Sequence, residues 1–285
     1  MLKSGSTSSA GQSSGGASGK WSSEKIDTAF LHNFQVNLNI DANSILYETW
    51  DMKNPGIKIV LQNGKLDLSG IKAGLYDGDL LANASIASSS KGGPVSFTSA
   101  GVIKDINMGA LALALSGTQR IQTSGTVSLE YDVSGQGASQ KAIIETLNGS
   151  SKLNGSNVIM KGFDLAGLAE ALMASNKPLP RIQQILKSST SGGETAFDTV
   201  NGSYLIQSGV VNISSMTMDG PSATIASKGN ASLPRWYMDT THTITLKNAP
   251  DVQPFDVVIK GSLSNPGNTF GSGLFDTVVR QRLQQ

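Results

Sequence analysis

The chain has 285 residues, of which 38% are hydrophobic, 6% aromatic and 15% charged, with 32 glycines and no cysteine. So low a charged fraction, against roughly 25% in an average globular chain, excludes a helical bundle. A net charge of +1 argues against both a charge-extended disordered chain and a nucleic-acid binder built on a basic patch, and the lack of cysteine excludes disulfides, thiolate zinc sites and a cysteine nucleophile.

Residues 1–23 are of low complexity, with Ser and Gly supplying 14 of the 23. Such a segment buries too little apolar surface to offset its ordering entropy, so it is expected to be a flexible linker. Its Gly11-Gln12-Ser13-Ser14-Gly15 matches G-x-S-x-G in letters only, because the hydrolase elbow needs a strand before it and a helix after it. Met1-Leu2-Lys3 passes straight into Ser and Gly with no apolar leader, and no run approaches the ~18 apolar residues of a membrane span.

From residue 30 the pattern changes to period two. Phe34, Val36, Leu38 and Ile40 alternate with Gln35, Asn37 and Asn39, which predicts a strand with one apolar and one polar face. Ile57, Ile59 and Leu61 predict the next, and Asn63-Gly64 predicts a hairpin into Leu66 and Leu68. Leu80, Ala82, Ala84 and Ile86 alternate after Asp77-Gly78, and Val127, Leu129, Tyr131 and Val133 form a further strand. In the second half the theme returns at Tyr204–Ile206, Val211–Met218, Ile225–Leu233, Trp236–Leu246 and Phe255–Leu263. A loose echo relates Leu66–Ile86 to Val211–Leu233: apolar pairs, an Asp-Gly turn, then a strand ending in Ala-Ser-hydrophobic. Turn signals about every 8–12 residues are those of an antiparallel meander.

Helical spacing is confined to Ile103–Leu115, Lys141–Leu147, Asp164–Ala174 with Asp164 as N-cap, and Gly273–Gln285. Pro178 and Pro180 interrupt the third, which resumes over Arg181–Lys187. Asn265-Pro266-Gly267-Asn268 reads as a hinge before a C-terminal amphipathic helix carrying Leu274, Phe275, Val278, Val279 and Leu283.

Little of this carries reactive chemistry. His32 and His242 lack neighbours at metal-ligand spacing, and His242 shares a strand face with Met238 and Ile244, where a buried or interface imidazole is expected. Asp77 and Asp79 around Gly78 fall short of a calcium loop, Asp67, Asp132 and Asp219 are scattered, and neither G-x-G-x-x-G after a strand nor a Walker A is present. Asn-x-Ser at Asn83, Asn148, Asn154, Asn201, Asn212 and Asn230 reads as turn chemistry rather than glycan sites. No catalytic residue, metal or cofactor is assigned, and paired carboxylates for glycan hydrolysis are lacking. What remains is a series of apolar strand faces with few helices to cover them. They predict either a sheet curled on itself, as a closed barrel or as an open groove around an apolar ligand, or a ligand-free structural, adhesin-like β-sandwich or solenoid.

Several segments resemble, in order, the C-terminal region of the AsmA family of envelope proteins. They begin with W-S-S-E-K-I-D at Trp21–Asp27, L-H-N-F-Q-V-N-L-N-I at Leu31–Ile40, L-Q-N-G-K-L-D-L at Leu61–Leu68 and L-Y-D-G-D-L at Leu75–Leu80. They continue with L-N-G-S-S-K-L at Leu147–Leu153, K-G-F-D-L at Lys161–Leu165, T-A-F-D-T-V-N-G-S-Y-L-I-Q-S-G-V-V at Thr195–Val211 and P-F-D-V-V-I-K-G-S-L-S-N-P at Pro254–Pro266. The resemblance implies a mainly β, elongated, antiparallel twisted sheet curled into a groove. It implies a periplasmic location, tethered to the inner membrane in a full-length parent, and a non-enzymatic role in lipid transfer, outer-membrane biogenesis and the targeting or assembly of proteins at the membrane.

The expected organisation is a linker at 1–23, a β-groove domain at 24–266, and a hinge with amphipathic helix at 267–285. The chain reads as a C-terminal fragment or a late-started reading frame. Phospholipid or another acyl lipid is the expected ligand, with outer-membrane or envelope proteins as possible partners at the C-terminal end and no nucleic acid. The groove lining is expected to comprise Phe34, Val36, Leu38, Ile40, Ile57, Ile59, Leu61, Leu66, Leu68, Val127, Leu129 and Tyr131.

Overall fold

A computed structural model describes residues 20–47, 50–116, 123–173 and 192–270. Fourteen strands form one antiparallel sheet. They are β1 (Val36–Asp41), β2 (Ser44–Tyr47), β3 (Trp50–Gln62), β4 (Lys65–Leu75), β5 (Gly78–Ser88), β6 (Val95–Asn107) and β7 (Thr123–Gly137) in the first half. The second half holds β8 (Asn148–Lys161), β9 (Glu194–Gln207), β10 (Val210–Asp219), β11 (Ala223–Ser232), β12 (Tyr237–Leu246), β13 (Phe255–Ser262) and β14 (Asn265–Phe270). From β3 onward each strand pairs with its sequence neighbour, while β1 and β2 share one edge of β3 in a single register. Among the described residues four short helices join them: α1 (Ala29–Asn33), α2 (Met108–Ser116), α3 (Gln140–Glu145) and α4 (Leu165–Met173).

The mainly β antiparallel expectation holds, but the curl into a groove does not: the sheet is open and not strongly curled. Because all fourteen strands lie in one sheet, the described residues contain no second sheet to make a sandwich.

The hairpin turns follow the local chemistry. Asn63 (φ 52°) and Gly64 (φ 76°) take the two left-handed positions of a type I′ turn, and Ser208 and Gly209 repeat the arrangement. At the next hairpin the turn residues are Tyr76 and Asp77, with Gly78 already in β5, one residue earlier than the Asp-Gly signal suggests.

β-Bulges explain the largest departure from the sequence reading. Ile103–Leu115 was expected to be helical throughout, yet residues 103–107 belong to β6 and only Met108–Ser116 is helix. Asp105, at φ 52°, is a bulge, and the register shifts between Ile103 and Ile106. The extra residue lets two side chains three apart reach the same sheet face, which imitates helical spacing. Gly70 does the same between Leu68 and Ile71.

Other expectations change too. Asn265–Asn268, expected to be a hinge, lies in β14, its Pro tolerated on an outermost strand. All six Asn of the Asn-x-Ser sites lie in strands rather than turns, and two pairs, Asn154–Asn201 and Asn212–Asn230, stand directly opposite each other. Trp21 is no linker residue: its indole N–H donates to the Leu233 carbonyl at 2.7 Å and its ring meets Trp236 edge-on at 5.6 Å. Arg181–Lys187 and Gly273–Gln285 lie outside the described residues.

The two rims of the sheet are finished differently. Residues 20–34 run along one rim as a strap, touching the β11–β12 turn through Trp21, α3 through Ser22, the β7–α3 connection through Ile26, the β5–β6 loop through Thr28, and the β3–β4 turn through His32. The other rim carries α2, α4 and the loop 247–254. α4 starts where expected: the Asp164 carboxylate accepts the Gly167 N–H at 2.7 Å.

Buried Thr195 fastens the same helix start to β9. Its hydroxyl donates to the Phe163 carbonyl at 2.6 Å and accepts the Leu165 N–H at 3.1 Å. Thr195→Val keeps the shape and orphans both backbone groups, so it is expected to cost about 1–3 kcal/mol. An unchanged urea midpoint would show that this clamp contributes nothing.

Candidate functional site

In an antiparallel sheet, residues directly opposite one another project to the same face. The pairing therefore shows where the expected lining residues lie. Val36, Leu38 and Ile40 stand opposite Leu61, Ile59 and Ile57. Ile59 and Leu61 stand opposite Leu68 and Leu66, which face Ala84 and Ile86. Ala82 and Leu80, on the same side of β5, lead through Gly101 and Ile103 to Tyr131 and Leu129, and Val127 faces Ile106. Phe34 precedes β1 and lies outside the strands. One face thus carries the other eleven, and it continues through Leu153, Tyr204, Val211, Ile225, Ile244 and Phe255.

Cover over this face is uneven. Around α4 it is a dry core: Val158, Leu165, Leu168, Phe197, Ile225 and Ile244 are buried together, with Ala249 and Val252 of the rim loop closing over them. α3 lies over Gly135 and Gly137, whose missing side chains leave room for Ile143 and Ala142. Toward β1 the cover thins. Leu61 and Val127 are buried; Val36, Ile57, Ile59, Leu66, Leu68, Leu129 and Tyr131 are half-buried; Leu38, Ile40 and Phe34 are exposed, Phe34 at 61%.

The centre of the face contains features that alternation alone did not mark. Gly101 stands opposite Tyr131, and a Cβ there would come within 3.0 Å of the Tyr131 ring. The tyrosine lies over the glycine and its hydroxyl meets Ser99 at 3.2 Å. Ile86, Phe97, Ile103 and Val133 share the face and were not among the expected lining. Ile86 and Val133 did show period two; Phe97 lies in a Ser/Thr-rich stretch, and Ile103 was absorbed into the expected helix.

Farther along, a polar island interrupts the apolar face. His242 Nδ1 meets Ser227 Oγ at 2.8 Å and Nε2 meets Thr240 Oγ1 at 3.0 Å. Thr240 also donates toward the Ile259 carbonyl at 3.4 Å, so its oxygen is free to accept an Nε2–H while Ser227 donates to Nδ1. That is a satisfied neutral imidazole. A hydroxyl beside an imidazole is half of a nucleophilic pair, but among the described residues no carboxylate contact orients this ring.

Burial holds His242 below its ordinary value of 6.5. The unfolded chain therefore takes up the proton first as pH falls. Thermal stability should be level above pH 6.5 and decline as pH drops from there toward the depressed folded value. His242→Gln should flatten that part of the profile, and an identical slope in the variant would assign it to other groups.

The opposite face is polar. Its ion pairs, such as Lys72–Asp41 at 3.3 Å and Lys247–Asp219 at 2.8 Å, are exposed and individually worth little. Hydrogen bonds from Lys247 and Thr224 hold the Asp219 carboxyl below the usual range. This face also borders an open depression of about 780 Å³. Two adjacent rows dominate its lining: Lys72, Leu81, Val102, Glu130 and Lys152, and beside them Asn83, Ala100, Asp132 and Ser150. The concavity thus lies mainly against the face opposite the expected lining, of which only Tyr131 borders it. Among the described residues no three His, Asp or Glu side chains gather as a metal site, and no helix is long and apolar enough to cross a membrane.

Neither curated proteins nor solved structures gave a match to the chain. A family profile did, over residues 4–216, three-quarters of the sequence and most of the sheet from the strap into β10. By that match the chain belongs to the AsmA family.

Proposed function

We propose that this chain is a non-enzymatic lipid-binding module of an AsmA-family protein, which holds the acyl chains of a phospholipid against the apolar face of its sheet. The observation that carries this reading is the apolar face, dry near α4 and progressively uncovered toward β1. Acyl chains need a wall without directional demands, and burying them yields about 25 cal/mol per Å² wherever along the wall they lie. Phe34, Val36, Leu38, Ile40, Ile57, Ile59, Leu66, Leu68, Leu129 and Tyr131 offer partly uncovered surface of that kind. Family membership supports the same reading and extends it to a periplasmic site of action, to lipid transfer between envelope membranes, and to outer-membrane biogenesis and protein assembly there.

The test is the lipid content of the purified chain. Organic extraction followed by mass spectrometry should recover phospholipid in fixed proportion to protein, and a fluorescent phospholipid should move between vesicles faster in its presence. A chain that carries no lipid and leaves vesicle exchange unchanged would favour the ligand-free structural alternative.

A further inference from the structure

The two outermost edges of this sheet differ in kind. β14 contains Pro266, which lacks an N–H, and Gly267. The proline blunts that edge against further pairing. The β1–β2 edge has no such protection. From Phe34 to Tyr47 it contains no Lys, Arg, Pro or Gly, and its one charge, Asp41, is paired with Lys72 at 3.3 Å. Leu38 is 50% exposed and Ile40 42%. An exposed strand of alternating apolar residues without a charged guard is a template for another strand.

The sequence of β1 suits a second copy of itself. Laid antiparallel against its own copy with Leu38 opposite Leu38, it places Val36 against Ile40, Asn37 against Asn39 and Phe34 against Ala42. Every apolar residue meets an apolar one, so both apolar faces continue across the junction without the reversal that a one-residue slip would cause. Asp41 falls against Gln35, so the acids of the two copies do not face each other. The added strand simply extends the ladder that already sets Val36, Leu38 and Ile40 against β3.

We propose that the chain forms a two-fold symmetric dimer through this edge, β1 pairing with β1 of a second copy about an axis at Leu38. The two sheets become one, with a single apolar face running through both copies.

Sedimentation of the 285-residue chain in detergent-free buffer tests it, and a dimer is expected. Because the chain has no cysteine, single replacements report the register. Leu38→Cys should give a covalent dimer on mild oxidation, since directly opposite Cα atoms about 4.5–5.5 Å apart suit a disulfide. Val36→Cys and Ile40→Cys should cross-link when mixed but not separately. Leu38→Lys sets two cations at the axis and should give a monomer with an unchanged circular dichroism spectrum. A monomeric parent chain, a dimer that survives Leu38→Lys, or cross-linking through Thr269→Cys on β14 instead would each overturn the proposal. A monomer that dimerises only after removal of residues 1–19 would overturn it as well, by assigning the edge to the chain's own N-terminal segment.

Discussion

Phe197→Ala is expected to lower stability by about 3–5 kcal/mol, the range for truncating a fully buried aromatic side chain. Phe197 is 1% exposed and stands opposite Val158, beneath α4. Phe255, 2% exposed on β13, closes the same cluster from the far side and should respond similarly. The loss combines the transfer energy of the ring with a cavity that the flanking strands cannot close, because their spacing is fixed by hydrogen bonding on both sides. Phe30→Ala is the control: at 41% exposure it should stay within about 0.5 kcal/mol. Urea midpoints measure all three. If Phe197→Ala cost no more than Phe30→Ala, the cluster around α4 would not be the stabilising core.

Legibility in the sequence followed the chemistry of the apolar face. Strands such as Ile57–Leu61 and Val127–Val133 announce themselves because large apolar side chains occupy every second position. β8 does not, although it lies mid-sheet, because its apolar-face positions include Gly149, Ser151 and Gly155. There the face is filled by neighbours: Tyr131 and Tyr204 flank Ser151, and a Cβ on Gly155 would come within about 3.3 Å of Val200 and Val158. Period two is then a property of the assembled sheet rather than of the strand. Asp105 shows the converse, one bulge converting strand spacing into apparent helix.

The strap was hidden for another reason. Its contacts are backbone hydrogen bonds, a few side chains such as Thr28, whose hydroxyl accepts the Gly92 N–H, and one tryptophan reaching Leu233, more than two hundred positions away in the sequence. Eleven of the expected lining residues fall on one face as their alternation suggests, but their differing cover was not legible, because it depends on where α3, α4 and the rim loop come to rest.

Leu129→Glu is expected to strip bound phospholipid from the purified chain by tenfold or more while leaving its melting temperature within a few degrees. Leu129 is half-buried, opposite Ile103 and Leu153, so in the empty protein a carboxylate there can still reach water. An acyl chain laid across the position would remove that water, and an ion desolvated without a partner costs several kcal/mol. Each 1.4 kcal/mol is a factor of ten in affinity, so one position suffices even if the lipid shifts to relieve part of the clash. Leu68→Glu, half-buried opposite Ile59 and Ala84, should act in the same way. The informative partner is Leu81→Glu. Leu81 is 50% exposed on β5, but it stands in the row of Lys72, Val102 and Glu130 beside the cavity of about 780 Å³. If acyl chains lie on the apolar face, Leu81→Glu leaves the lipid content unchanged. If Leu81→Glu empties the protein and Leu129→Glu does not, the ligand occupies the polar-face depression and the assignment of faces is reversed. A charge that unfolds the chain at Leu129 but not at Leu81 would mark Leu129 as ordinary core, and the wall open to lipid would then shrink toward β1, where Leu38 and Ile40 are exposed.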